Sequence, residues 1–60
     1  MTAKEYVKLA HALIIMAKVS ANATALAQAA IIVIQDGTKQ HGQQAMKKAE
    51  QEILRKKLFT

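Results

Sequence analysis

Residues 9–34 run LAHALIIMAKVSANATALAQAAIIVI without a Pro or a Gly, and Lys18 is their only charged residue. A stretch this apolar has to be covered by something. The flanks of the chain and one short basic segment offer too little surface to cover it all. The pattern therefore predicts burial against copies of the same chain, another protein or lipid. It points to association rather than chemistry.

Sixty residues make a single small domain, residues 1–60. A chain of this length buries only about 60% of the surface of its unfolded form, so a lone monomer is marginal. There is no Cys, hence no disulfide and no thiolate metal site. Small folds without such staples rely on oligomerisation or very efficient helix packing. Half of the residues are apolar, which is not the composition of a disordered chain. The lack of cysteine fits a reducing compartment, and a cytoplasmic or virion-like setting is the expectation. The net charge of +5 favours anionic partners such as nucleic acid or, less strongly, an acidic membrane surface.

A membrane span needs about 20 mostly apolar residues. Residues 19–34 are fewer and include Ser20, Asn22, Thr24 and Gln28. Extension back to Leu9 takes in Lys18 and His11, and a lysine near a helix centre costs about 2.5–3.5 kcal/mol on insertion scales. A span is therefore not expected. Residues 9–17, followed by Ala21-Asn22-Ala23, have the parts of a signal peptide, but Lys18 interrupts them.

Thr2-Ala3-Lys4-Glu5 is a capping box that should start a helix. From there the apolar period is near 3.5. One seam runs through Tyr6, Leu9, Leu13, Met16, Ser20, Ala23, Ala27, Ala30 and Ile34, in alternating steps of three and four. A second row (Ala12, Ile15, Val19, Leu26, Val33) widens it on one side, and a third (Val7, Ala10, Ile14, Ala17, Ala21, Ile31) on the other. The polar stripe of Lys4, Lys8, His11, Lys18 and Asn22 is narrow and keeps its phase through residues 20–24, which favours one continuous helix. Small residues at the middle of the seam allow close backbone approach. The competing parse uses Ser20, Asn22 and Thr24 as N-cap residues and gives three short helices.

Asp36-Gly37 is a strong turn signal, so a loop is expected at 36–42. A second helix should start between Thr38 and Gln43 and run to about Leu58, with Met46, Ala49, Ile53, Leu54 and Leu58 as its apolar stripe. Glu52 and Lys56 form a favourable i,i+4 pair. The expected fold is all-α: a long N-terminal apolar helix, a loop and a shorter basic helix, as a hairpin assembled into a homo-oligomer. The alternative is a small three-helix bundle with a break near 20–24.

No catalytic, cofactor-binding or metal-binding set is apparent. Glu5, Asp36, Glu50 and Glu52 are scattered, and the last two point to different sides of a helix. His11 lies on the polar stripe, where solvation is expected, and His41 lies in the expected loop, in a capping or solvated role. Ser20 sits on the seam, suited to bonding a backbone carbonyl. There is no phosphate-binding glycine loop. No enzyme activity, cofactor or small-molecule substrate is expected. Lys47, Lys48, Arg55, Lys56 and Lys57 ring the second helix as candidate polyanion contacts. Binding through them would be to phosphates and salt-sensitive. Tyr6 and Phe59 are the only aromatics, too few for a stacking platform.

The order of parts resembles the filamentous virus coat proteins, which have an amphipathic helical start, an Ala-rich apolar centre and a Lys-rich end that faces the genome. Residues 2–18, 19–34 and 47–57 correspond to these parts. The resemblance is one of layout: the start lacks an acidic cluster, and Asp36-Gly37 interrupts the helix. The opening pattern of Met1, Thr2, Glu5, Leu9, Ala12 and Ile15 is also similar to that of the Rop-type RNA-binding hairpins, which dimerise into four-helix bundles, although the turn here comes later. Both resemblances imply helical self-association beside an anionic partner.

The leading expectation is a non-enzymatic, self-assembling structural subunit, filament-like or coat-like. It would associate through Leu9, Leu13, Met16, Ser20, Ala23, Ala27, Ala30 and Ile34. The runner-up is a small dimeric helical regulator or adaptor that binds nucleic acid or one protein partner.

Overall fold

A computed structural model of the chain describes residues 1–56, with the side chains of residues 1–55. Among the described residues the fold is all-helical, with three helices and no strand: α1 (Ala3–Val19), α2 (Ala23–His41) and α3 (Gln43–Lys56).

The start of α1 is the expected capping box. The Glu5 N–H donates to the Thr2 hydroxyl at 3.2 Å, and the Thr2 N–H donates to the Glu5 carboxylate at 2.7 Å. Two of the four donors that a helix start leaves unpaired are thereby satisfied.

The continuous apolar helix is corrected: it ends at Val19. Ser20 leaves the helix with an extended backbone, φ −109° and ψ 146°. Its hydroxyl accepts the Asn22 N–H at 3.0 Å. A short polar side chain thus offers the backbone a local alternative to the helix. The fold-back lets α1 and α2 pack on each other more extensively than any other pair. Ala10 and Ala30 are buried, and small residues of this kind allow close backbone approach. The break falls where the three-helix parse put it.

The expected loop at 36–42 is also corrected. Residues 36–41 belong to α2, and the chain breaks only at Gly42. Gly42 has φ 85° and ψ 158°, a conformation essentially reserved for glycine. Its N–H donates to the Thr38 carbonyl at 2.9 Å, and its own carbonyl accepts the Met46 N–H at 3.2 Å. One non-helical residue therefore separates α2 from α3.

Gly37 lies within α2, closely surrounded by the neighbouring helices. It is buried, and a Cβ on it would lie 2.6 Å from Met46 Cε and 2.9 Å from Tyr6 Cγ. A glycine in a helix interior costs about 1 kcal/mol relative to alanine. Here it opens the space in which α1 and α3 meet α2.

Tyr6, Val7, Met46, Ala49 and Ile53 form the core cluster, with Ala3, Val33 and Ile34 packed against it. Of the stripe expected on the last helix, Met46, Ala49 and Ile53 are buried, whereas Leu54 is 59% exposed. Leu58 lies outside the described residues. On α1, the buried residues are Tyr6, Val7 and Ala10. Of these, Tyr6 belongs to the 3.5-residue seam, and Val7 and Ala10 to the flanking third row. Lys4 pairs with Glu52 across α1 and α3 at 3.0 Å, an exposed bridge of the kind usually worth under about 1 kcal/mol.

Candidate association surface

The core sits at one end of the α1–α2 hairpin, where α3 lies across Ala3, Tyr6 and Val7 on one side and Val33 and Ile34 on the other. Beyond α3 the channel between α1 and α2 continues as an open groove of about 330 Å³. It is lined by Ile14, Ala27, Ala30, Ile31, Ile34 and Gln35. Ile34 belongs to both regions, lining the groove and packing against the core. The groove is therefore the uncovered extension of the core, not a separate depression.

Its shape follows from residue sizes. Ala27 and Ala30 make a low floor, and Ile14 and Ile31 stand above it, 45% and 57% exposed. No charged side chain lines it. Polar capacity is confined to the Gln35 amide. No titratable side chain is among the residues that line it.

Apolar exposure is not limited to the groove. Leu9, Ile15, Met16, Val19 and Ile32 are also exposed, Val19 at 89%. Ile14 and Met16 are two positions apart on α1 and so point to opposite sides of it. The half of the hairpin remote from α3 is greasy on more than one side. Scattered exposed apolar residues are normal on a soluble fold, and it is large contiguous apolar patches that mark interaction surfaces in general.

The expected self-association residues are distributed unevenly. Ala27, Ala30 and Ile34 line the groove. Leu9, Met16 and Ala23 are exposed elsewhere, while Leu13 and Ser20 are half-buried. They do not form one straight seam, because the chain turns at Ser20. Ile14, Ile31 and Gln35 are groove residues that the seam did not include. The two isoleucines belong to its flanking row, and the turn at residues 20–22 brings them together.

The basic candidates are not among the residues that line the groove. Lys47, Lys48 and Arg55 are exposed on α3. Lys48 and Arg55 share the face opposite the buried Met46 and Ile53. The Lys56 side chain and Lys57 lie outside the described residues.

His41 is not in a loop but in the last turn of α2, where its positive form would suit the helix dipole. Its Nε2–H donates to the Met1 carbonyl at 2.7 Å, and its ring meets Tyr6 edge-on at 5.8 Å. It ties the start of the chain to the end of α2. His11 is half-buried rather than fully solvated. Among the described residues no three metal-ligating side chains come together, and no helix is long and apolar enough to cross a membrane.

Comparison with protein-family models, curated proteins and solved structures returns no match for this chain.

Proposed function

We propose that this chain is a non-enzymatic, self-assembling helical subunit that works by burying the apolar half of its α1–α2 hairpin against copies of itself. The observation that carries the reading is the charge-free groove of Ile14, Ala27, Ala30, Ile31 and Ile34, set among further exposed apolar residues. Burial of apolar surface stabilises by about 25 cal/mol per Å², and a 60-residue fold has little stability to spare. Association adds what the small core lacks. The exposed Lys47, Lys48 and Arg55 of α3 stay outside such a contact, available to a polyanion through its phosphates.

A second reading is a small dimeric regulator or adaptor that binds nucleic acid or one protein. The turn at Ser20 favours it, because the fold-back replaces a long apolar rod with a short hairpin and covers part of its surface. Solution mass separates the two. Light scattering after size exclusion, at low and high salt, is expected to give species heavier than the monomer. Open-ended growth supports the structural subunit, and a stop at two or four copies supports the regulator. A clean monomer at both salt concentrations overturns both.

A further inference from the structure

We propose that the seam between α1 and α3 is a contact for the phosphate backbone of duplex nucleic acid, in which Glu52 holds Lys4 until a phosphate displaces it. This rests on the reading that the cations of α3 meet a polyanion. It goes further by placing the contact on two helices and giving it an internal competitor.

Lys4 of α1 and Lys48 and Glu52 of α3 line one open depression, whose remaining walls are Thr2 and three alanines. The Lys4 ammonium lies 3.0 Å from the Glu52 carboxylate. Lys8 is one turn beyond Lys4 on the same face of α1, and Arg55 is two turns beyond Lys48 on the same face of α3. Both are exposed. Two cationic rows, Lys4 with Lys8 and Lys48 with Arg55, therefore start from this depression. Within a row the cations are about 6–10 Å apart along the helix axis. A duplex strand offers a charge about every 3.4 Å of its axis, so each long side chain has a phosphate in reach.

The acids narrow to one. Glu5 is turned back onto the Thr2 N–H. Glu50 is two positions from Glu52 and points to a different side of α3. Glu52 is the carboxylate that shares the depression with Lys4 and Lys48, and it competes there with phosphate.

The partner follows from the lining. It includes no aromatic and no large apolar side chain. Bases have no platform to stack on, and a lipid surface has no apolar side chain to take up beside the cations. Phosphate oxygens are what such a site reads, by charge and without sequence.

Fluorescence anisotropy with a labelled DNA duplex of mixed sequence, at several salt concentrations, tests the arrangement. The variants are Glu52→Gln, Lys4→Gln and the two combined. Glu50→Gln removes the same charge elsewhere on α3. Circular dichroism establishes that each is folded. Glu52→Gln is expected to tighten binding by up to about fivefold, the factor that corresponds to an exposed ion pair. It should also steepen the slope of log K against log salt by about one contact. The gain should vanish in the Lys4→Gln background, where no ammonium is left to release. Equal gains from Glu50→Gln and Glu52→Gln overturn the proposal, because net charge alone then decides. A gain that persists without Lys4 also overturns it. If binding depends on Lys47, Lys48 and Arg55 but ignores Lys4 and Glu52, the two-helix contact fails and the polyanion reading of α3 stands. A parent chain that does not bind the duplex at low salt overturns both. If that parent floats with anionic vesicles instead, the phosphate belongs to a lipid headgroup and not to nucleic acid.

Discussion

A Cβ placed on Gly37 of α2 would come within 2.6 Å of Met46 Cε on α3. The same atom would lie 2.8 Å from Met46 Sδ and 2.9 Å from Tyr6 Cγ on α1. The methionine end is flexible and can move, but the root of the tyrosine ring cannot without shifting α1. Gly37→Ala therefore sets a helix-propensity gain of about 1 kcal/mol against an overpacking cost of about 1–3 kcal/mol. The net effect is expected to be destabilising, by about 1 kcal/mol, and Gly37→Leu to be worse. Urea unfolding followed by circular dichroism measures this. A more stable Gly37→Ala protein would mean that the three helices do not meet at this point.

Gly42 makes a contrasting case. Nothing lies within 4 Å of a Cβ built there, so space is not at issue. Its φ of 85° is. Gly42→Ala is expected to cost about 1–3 kcal/mol through backbone strain alone. The loss should appear in thermal melts without any change in the packing of Met46, whose methyl NMR signal serves as the check.

Ile53 and Leu54 are neighbours in sequence and opposites in environment, 0% and 59% exposed. Ile53→Ala should cost about 2–5 kcal/mol, enough to unfold much of so small a domain. Leu54→Ala should stay within about 0.5 kcal/mol. Equal losses in denaturant titrations would contradict the seating of α3.

The capping box makes α1 sensitive to acid. The Glu5 carboxylate is held below its ordinary pKa, chiefly by the Thr2 backbone N–H and then by the Thr2 side chain. A folded-state pKa below the unfolded one gives stability that is present above the unfolded pKa and lost as pH falls through the folded one. The stability difference between the parent and Glu5→Gln should therefore shrink as the solution is acidified below the ordinary glutamate range. Thr2→Ala should cost about 0.5–2 kcal/mol near neutrality. Helix content followed by circular dichroism across pH tests both statements.

Phosphate contact by α3 predicts a salt dependence. Replacing Lys47, Lys48 and Arg55 by Gln should weaken binding to duplex nucleic acid. It should also flatten the slope of log K against log salt by about 3, roughly one unit per lost contact. Fluorescence anisotropy titrations at several salt concentrations measure the slope. An unchanged slope would assign these cations to solvent.

The features readable from sequence are the ones decided locally. Thr2 and Glu5 cap a helix because each reaches the other's backbone across three residues. Met46, Ala49 and Ile53 announce a buried stripe by their spacing. The two chain reversals were harder to place. Asp36-Gly37 carries the stronger turn signal, yet Gly37 lies within α2, packed closely beside Tyr6, thirty-one positions away. Ser20 carries a weaker signal, hidden by a polar stripe that keeps its phase across the turn. The groove was invisible for the same reason. Ile14 and Ile31 share a surface only once the chain has doubled back between them.

Ile34 touches the core cluster on one side and the groove on the other. Whatever fills the groove leans on a side chain that also steadies α3. Occupancy of the groove and melting of the domain are consequently linked by mass action. In a self-associating chain the midpoint of thermal unfolding should climb as the protein is concentrated. Dilution alone should then loosen helices that lie nowhere near the contact.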